Sequence, residues 1–141
     1  MTPEDEKYLR RAIELATEGR ERGDAPFGSL LVGPDGAVLA EHHNTVRSDD
    51  DLSAHPEFKV ALWAARELDA ADAAATTMYT SCQPCPMCTG AIDRSGLGRV
   101  VFALTYDQLS EIRPSGGIPS VPQEGGALYD EARAAVEPYY R

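Results

Sequence analysis

All three cysteines of the chain lie between residues 81 and 88, in the sequence SCQPCPMC. Cys85 and Cys88 are three residues apart, and residues at that spacing are neighbours on the surface of a helix. Two thiolates on one helix face, together with His55 from an earlier part of the chain, suit Zn²⁺, which prefers sulfur and nitrogen ligands in a tetrahedron. Three protein ligands leave the fourth position open, as in catalytic zinc sites. If these residues bind one ion, the fold must bring the start of a cysteine-bearing helix next to His55.

Composition and charge indicate one globular domain, which we expect to span residues 1–141. The chain is long enough for a full hydrophobic core. Its net charge of −10 disfavours phosphate backbones, so nucleic acid is not an expected partner. No apolar run approaches the ~20 residues of a membrane span, and the first residues do not resemble a signal peptide. We expect a cytoplasmic protein with no membrane partner, in which clustered cysteines bind metal rather than form disulfides.

Hydrophobic periodicity and turn residues predict alternating helices and strands, which is typical of the α/β class. The predicted helices cover residues 2–19, 53–68, 84–95 and 127–136. The predicted strands cover residues 29–32, 37–40, 77–81 and 99–104, and the first two form a hairpin. The last of these strands is apolar enough for burial on both faces of a parallel sheet. Residues 106–113 are ambiguous, and the predicted loops cover residues 47–51, 69–75 and 114–126.

Glu57 follows His55 by two residues, at the predicted start of the second helix. Residues two apart on a helix do not share a face, so Glu57 is poorly placed as a second ligand to the same ion. It can still reach a water that the metal binds. A carboxylate in that position can take the proton of the water and deliver it to a leaving group.

Other interpretations of the same residues stay open on this evidence. The cysteines and one histidine could form a structural zinc knuckle, and an iron–sulfur site is disfavoured because the bacterial pattern needs a fourth cysteine. Cys82 is expected at the end of a strand, off the helical face that carries the other two thiols. His42 and His43 are adjacent in a strand and point to opposite faces, so they are poorly arranged to bind one ion. His55 and Glu57 alone could be a helix cap and a surface acid.

Taken together, His55-Pro56-Glu57 and the later Pro84-Cys85-Pro86-Met87-Cys88 resemble the H-x-E…P-C-x-x-C signature of the cytidine deaminase-like superfamily of zinc deaminases. The resemblance extends from residue 12 to about residue 104. It is greatest to bacterial guanine deaminases, through Pro26-Phe27-Gly28, Asn44 and residues 80–92, and to tRNA adenosine deaminases. The resemblance implies a three-layer α/β/α sandwich with a mixed five-stranded sheet, and a homodimer.

The resemblance also implies roles for individual residues. One Zn²⁺ per chain would be bound by His55, Cys85 and Cys88, with Glu57 as the catalytic acid/base. Asn44 would hydrogen-bond the substrate and Phe27 would line its pocket. Three further positions are candidates for contact with the base: Asp107 after the last strand, Glu124 in the Gly/Pro-rich loop, and the backbone near Ala54.

We therefore expect a zinc-dependent hydrolase that removes the exocyclic amino group of a free nucleobase or close analogue and releases ammonia. Guanine is the first choice, and isoguanine, cytosine or an amino-s-triazine would present a similar carbon. The alternatives are a tRNA adenosine deaminase and a non-catalytic zinc-stabilised domain. Pro56, Gln83 and the run Asp93-Arg94-Ser95 depart from the family pattern, so the residues indicate the reaction better than the substrate.

Overall fold

The structure, a computed structural model, describes residues 1–114 and 119–141. The strands are β1 (Gly28–Val32), β2 (Val38–His43), β3 (Thr77–Cys82) and β4 (Arg99–Leu104). They form one mixed sheet in the order β2-β1-β3-β4. β1 pairs antiparallel with β2 and with β3, whereas β3 and β4 are parallel. The predicted hairpin and the predicted parallel pairing of the last strand are both confirmed.

The part of the chain that the structure describes also contains seven helices. They are α1 (Pro3–Glu21), α2 (Val46–Asp49), α3 (Pro56–Glu67), α4 (Ala70–Ala74), α5 (Pro86–Ser95), α6 (Tyr106–Ile112) and α7 (Tyr129–Tyr140). α1 packs on one face of the sheet, and α3, with α5 beside it, packs on the other. This is the expected α/β/α sandwich. Among the described residues, no helix is both long and apolar enough to cross a membrane.

The alternation of side chains along the strands divides the core into two halves. Leu30 of β1 packs into the cluster on the α1 side, whereas Leu31 packs against α3. The same alternation continues in β3, where Tyr79 joins the α1 side and Met78 joins the α3 side. Because successive side chains of a strand point to opposite faces, β1 and β3 each contribute to both halves.

The sheet has four strands in the described residues, where the resemblance implied five. After β4 the side chain of Thr105 accepts a hydrogen bond from the backbone of Gln108, and the Gln108 side chain accepts one from the backbone of Thr105. This capping box starts α6 in a segment whose structure was ambiguous from its sequence. Residues 119–128 are irregular, and Pro119 and Pro122 lack the N–H groups that a strand ladder needs.

The expectation that β4 is buried on both faces is wrong. Val101 is its only buried residue, and Arg99 and Ala103 are exposed. The physical reason is that β4 lies at the edge of the sheet, where one strand pairs with it instead of two.

Two predicted loops contain short helices. Residues 47–51 overlap α2, and residues 69–75 contain α4, which begins where the Asp69 side chain accepts a hydrogen bond from the backbone of Asp72. In the predicted loop 114–126, residues 119–126 are irregular as expected, and residues 115–118 lie outside the described part of the chain. The closing helix, α7, runs to residue 140 rather than 136 and has no buried residue.

Candidate zinc site

The starts of α3 and α5 bring the candidate metal ligands together. His55 is the N-cap of α3, Cys85 is the N-cap of α5, and Cys88 lies in the first turn of α5. His55 Nδ1 is 3.4 Å from Cys88 Sγ and 3.6 Å from Cys85 Sγ. One ligand atom from each of the three residues lies within 4.8 Å of the others. One imidazole and two thiols at this separation match the ligands that Zn²⁺ prefers.

A proline follows the N-cap residue of each of these two helices. Pro56 follows His55 and Pro86 follows Cys85, each at the first position of its helix. Proline fits that position because the N–H it lacks would have no intrahelical partner. It also holds the preceding residue in an extended conformation, as observed for His55 (ψ 141°) and Cys85 (ψ 168°). The backbone therefore fixes the direction in which the side chains of His55 and Cys85 leave their helices.

The surroundings shift the pKa values of two of these residues, His55 and Cys88. Burial lowers the pKa of His55, which keeps the imidazole in the neutral form that binds metal. Burial, followed by the nearby Glu57 carboxylate and Cys85 thiol, raises the pKa of the Cys88 thiol well above its usual range. A coordinated metal ion reverses this effect, because it stabilises the thiolate directly. The donor set thus fits a zinc ion.

Glu57 is buried beside this cluster, with only 7% of its surface exposed. Its Oε1 lies 3.2 Å from the hydroxyl of Ser29, which in turn lies 2.7 Å from the hydroxyl of Thr80. Burial raises the pKa of Glu57 above its ordinary value, while hydrogen bonds from its own backbone and from Ser29, Cys88 and Thr80 lower it in part. A carboxyl group with a raised pKa is suited to accepting and returning a proton near neutral pH.

Ser29 and Thr80 were not identified as site residues from the sequence. Both are fully buried, and they are opposite each other in the β1–β3 ladder. They lie on the α3 side of the sheet, because Ser29 is two residues from Leu31 and Thr80 is two residues from Met78. Ser29 is the one polar side chain in β1, a pattern that could have revealed it, whereas β3 also carries Thr77 and Ser81 and does not single out Thr80.

Three of the residues expected to bind the base lie on segments that are joined by backbone hydrogen bonds. The N–H of Asn44 donates to the carbonyl of Phe27 (3.0 Å), and the N–H of Thr45 donates to the carbonyl of Ala54 (3.0 Å). Asn44 is 3% exposed, and its Oδ1 accepts a hydrogen bond from the N–H of Val46 (3.0 Å). Phe27, Asn44 and Ala54 thus come from three parts of the chain to one region, and Ala54 immediately precedes His55.

The two acidic candidates are less closely connected to this region. Asp107 is exposed in the first turn of α6, which is tethered near the cysteines because the N–H of Tyr106 donates to Gln83 Oε1 (2.8 Å). Glu124 is exposed in the irregular segment before α7. Within residues 1–114 and 119–141, neither carboxylate makes a hydrogen bond to the cluster.

The remaining cysteine and histidines stay outside the cluster. In the described part of the chain, the group of candidate ligands contains His55, Cys85 and Cys88 but not Cys82, His42 or His43. Cys82 is buried at the end of β3, and His42 and His43 lie in β2. The sequence-based preference for three ligands over four is consistent with this geometry.

The sequence profile of one family, described as the cytidine and deoxycytidylate deaminase zinc-binding region, matches residues 2–104 of this chain. The chain belongs to this family. It is therefore a zinc-dependent deaminase, and both the expected family and the expected zinc cofactor are confirmed.

Several relatives of this chain are deaminases with different named substrates. Guanine deaminase from Bacillus subtilis is 39% identical over 107 residues, covering 75% of this chain and 68% of the relative. A probable cytosine deaminase from Schizosaccharomyces pombe is 32% identical over 117 residues, covering 83% and 70%. A tRNA-specific adenosine deaminase from B. subtilis is 35% identical over 99 residues, covering 70% and 61%.

A solved structure has the same fold over almost the whole chain. The X-ray structure of guanine deaminase from B. subtilis superposes with a TM-score of 0.74 at 30% identity, covering 99% of this chain and 94% of that one. The fold of the family is thus present here, with four strands in the described residues.

Proposed function

We propose that this chain is a zinc-dependent nucleobase deaminase that acts on a free base or a close analogue, with guanine as the first candidate. The observation that carries the proposal is the convergence of the His55, Cys85 and Cys88 ligand atoms within 4.8 Å of one another, beside the buried carboxylate of Glu57. The 39% identity to a guanine deaminase supports guanine over the other bases.

In this proposal His55, Cys85 and Cys88 hold one zinc ion per chain. When bound, the ion acts as a Lewis acid and activates water at neutral pH. Glu57 is the proton carrier. As water adds to the amino-bearing ring carbon, Glu57 takes one proton from the water and passes it to the ring nitrogen. It then takes the second proton from the new hydroxyl group and passes it to the leaving amino group. A C–O bond forms, the C–N bond breaks, and ammonia leaves.

Ser29 of β1 and Thr80 of β3 hold the Glu57 carboxylate from the side of the sheet. A hydrogen bond to one carboxylate oxygen fixes the rotation of the side chain and leaves the other oxygen for the reacting groups. The hydroxyl of Ser29 is placed for this by the strand β1, which is fully buried. The Glu57 side chain is therefore held in position by the sheet and not by a loop.

Asn44 and Phe27 form the side of the pocket that recognises the base. The Oδ1 of Asn44 is occupied by the N–H of Val46, which leaves the side-chain NH₂ as a donor toward an acceptor on the substrate. The ring of Phe27 is half-buried, and in this proposal it would lie against the base. Asp107 and Glu124 are the candidate acceptors for the ring N–H groups of the base, and the backbone near Ala54 is the next candidate.

A tRNA substrate is the alternative within the family, because tRNA-specific adenosine deaminases are among the relatives. The net charge of −10 argues against it, since tight binding of a phosphate backbone relies on Lys and Arg contacts. A non-catalytic zinc domain is the other alternative. The buried Glu57 argues against that one, because a structural zinc does not need a carboxylate whose burial is unfavourable for its charged form.

We further propose that the enzyme is a homodimer that binds no nucleic acid. Helix α7 supports the dimer, because its apolar side chains lie on the surface, with Tyr139 82% exposed and Val136 54% exposed. A second copy of this chain would cover them. The single-domain organisation over residues 1–141 and the cytoplasmic location stay predictions.

The decisive experiment measures ammonia release from a panel of free bases, nucleosides and tRNA by the zinc-loaded protein. We expect turnover of a free base, with guanine best. Glu57→Gln should keep its zinc and its fold but lose roughly 10²–10⁴-fold in kcat, which is the typical contribution of a positioned acid/base. Glu67→Gln is the matched control, because Glu67 is an exposed acid on the same helix.

Two results would contradict the proposal. Turnover of tRNA but of no base or nucleoside would replace it with the tRNA alternative. A Glu57→Gln variant as active as the Glu67→Gln control would remove Glu57 from the mechanism.

A further inference from the structure

Lys59 is one of only two lysines in a chain that carries 13 basic residues. It lies on α3 four residues after His55, so it shares a helix face with that residue. A positive charge near the start of a helix is opposed by the helix dipole. Burial also lowers the pKa of Lys59, although the nearby carboxylates of Asp49, Asp24 and Asp51 raise it in part. Local stability of the helix therefore does not explain a lysine at this position.

The contacts of its ammonium group supply an explanation. Nζ donates to the carbonyl of His43 at 3.1 Å and to the hydroxyl of Thr45 at 2.5 Å. These are the two residues on either side of Asn44. The Thr45 hydroxyl in turn donates to Asp49 Oδ2 at 2.6 Å, which extends the link into α2.

Every polar group of Asn44 except one contacts another residue. Its N–H donates to the Phe27 carbonyl, its carbonyl contacts His43 Nδ1 at 3.1 Å, and its Oδ1 accepts from the Val46 N–H. The amide NH₂ makes no hydrogen bond to residues 1–114 or 119–141. It is thus the single directional group that this residue offers to a ligand.

We propose that Lys59 is a positioning residue for substrate recognition: it fixes the segment that carries Asn44 to the helix that carries His55 and Glu57. This inference rests on the proposed function, in which Asn44 binds the base. The two ends of the site lie on different elements, because Asn44 follows β2 whereas His55 and Glu57 begin α3. Lys59 connects them directly through two hydrogen bonds, each to a neighbour of Asn44.

Removal of the ammonium group should affect binding more than chemistry. Lys59→Met keeps most of the aliphatic side chain and removes both hydrogen bonds. Asn44 contacts the base before and during the reaction alike, so its misplacement should raise KM and leave kcat nearly unchanged. We expect KM for the best base to rise about tenfold, as for the loss of roughly one hydrogen bond. Zinc content should stay at one ion per chain.

Three controls separate positioning from general damage. Lys7→Met alters the other lysine, which is exposed on α1, and should match the wild type. Lys59→Arg keeps a cation that can reach the same two acceptors and should recover part of the KM effect. In an Asn44→Ala background, Lys59→Met should add little, because a residue that acts through Asn44 has nothing left to position.

The coupling between Lys59 and Asn44 can also be measured without turnover, from the affinity for the base. In the Glu57→Gln background, the Kd of guanine should rise about tenfold with Lys59→Met, and this rise should disappear when Asn44 is already alanine. Hydrogen exchange at the amides of Thr45 and Val46 should accelerate in Lys59→Met and not in Lys7→Met. The exchange measurement needs no substrate, so it decides whether Lys59 holds this segment even if the base panel finds no activity.

Several outcomes would overturn the inference. Unchanged KM, Kd and exchange in Lys59→Met would show that the ammonium group fixes nothing. Full additivity with Asn44→Ala would show that it acts elsewhere. Loss of zinc or of kcat with KM unchanged would assign Lys59 a role in the stability of α3 rather than in recognition. If no base is deaminated but exchange is faster in Lys59→Met, the proposed function is refuted and the positioning contact of Lys59 stands.

Discussion

Gly28 lies where β1 meets the backbone of α1, and we expect its replacement by alanine to destabilise the protein strongly. A Cβ atom at this position would lie 2.4 Å from Ala12 O, 2.5 Å from Leu15 Cβ and 2.7 Å from Ala16 N. Carbon atoms normally pack at about 3.5–4.0 Å. The helix and the strand would therefore have to move apart by about 1 Å, in a core where Ala12 and Leu30 are fully buried.

The magnitude follows from what the new atom contacts. Overpacking of a core costs about 1–3 kcal/mol and occasionally more. Two of the three contacts are to backbone atoms, which cannot rotate away as a flexible side chain can. We therefore expect a loss of about 3 kcal/mol in the free energy of unfolding, out of roughly 5–15 kcal/mol for a protein of this kind. Because Phe27 and Ser29 flank Gly28, kcat/KM on the best base should fall as well.

Urea unfolding of the zinc-saturated proteins measures this loss. Gly90→Ala is the matched control, because a Cβ at Gly90 in α5 would meet only the flexible end of Arg94, at 3.5 Å. In the middle of a helix this change should stabilise by up to about 1 kcal/mol. If Gly28→Ala unfolds within about 0.5 kcal/mol of the wild type, the close approach of α1 to β1 is not as described and the reasoning fails.

Three further predictions test the metal, the attachment of α1 and the choice of partner. Cys85→Ala should lose zinc and lower the thermal stability, since metal binding and folding are coupled, whereas Cys82→Ala should keep one zinc per chain by metal analysis. Asp5 accepts hydrogen bonds from Arg99 and Tyr79, and the Arg99 contact does most to hold its pKa well below the usual range. A depressed pKa stabilises the fold above the unfolded pKa of about 4 and loses this effect as the pH falls below it, so Asp5→Asn should lower Tm at pH 7 and the difference from wild type should shrink in acid. Gel-shift titration should detect no tight tRNA binding at physiological salt, and submicromolar, salt-sensitive binding would contradict the expectation drawn from the net charge.

Elements that begin with local signals could be read directly from the sequence. Thr2 caps α1 as predicted, and the Gly-Pro-Asp-Gly turn joins the predicted hairpin. The capping box of Thr105 and Gln108 follows the same kind of rule, so α6 was in principle readable although its segment looked ambiguous. The Asp69 cap of α4 is a similar case, hidden by a run of small residues.

Properties that depend on the position of an element in the whole fold could not be read in this way. β4 has an apolar sequence that fits a central strand, yet it lies at an edge because no further strand follows it in the described residues. The strand itself carries no information about how many neighbours it will have. Whether a strand lies at the edge or in the centre of a sheet is decided by the rest of the chain. Here it is decided by the capping box and the prolines that come after β4.

The residues of the candidate site fall into the same two groups: those marked by local signals and those placed by the whole fold. His55, Cys85 and Cys88 were predictable because each ligand lies at a helix start marked by a proline, and spacing along the chain sets their orientation. The support for Glu57 was not predictable from spacing. Ser29 and Thr80 reach the carboxylate only because β1 and β3 pair in the register that sets these two residues opposite each other. A shift of either strand by one residue would turn its hydroxyl to the α1 side of the sheet. The proposed zinc ligands are thus specified by local motifs, whereas the groups proposed to hold the nucleobase and the Glu57 carboxylate depend on long-range pairing. We expect substrate specificity to depend on this second set, and the relatives of this chain indeed carry the names of different substrates.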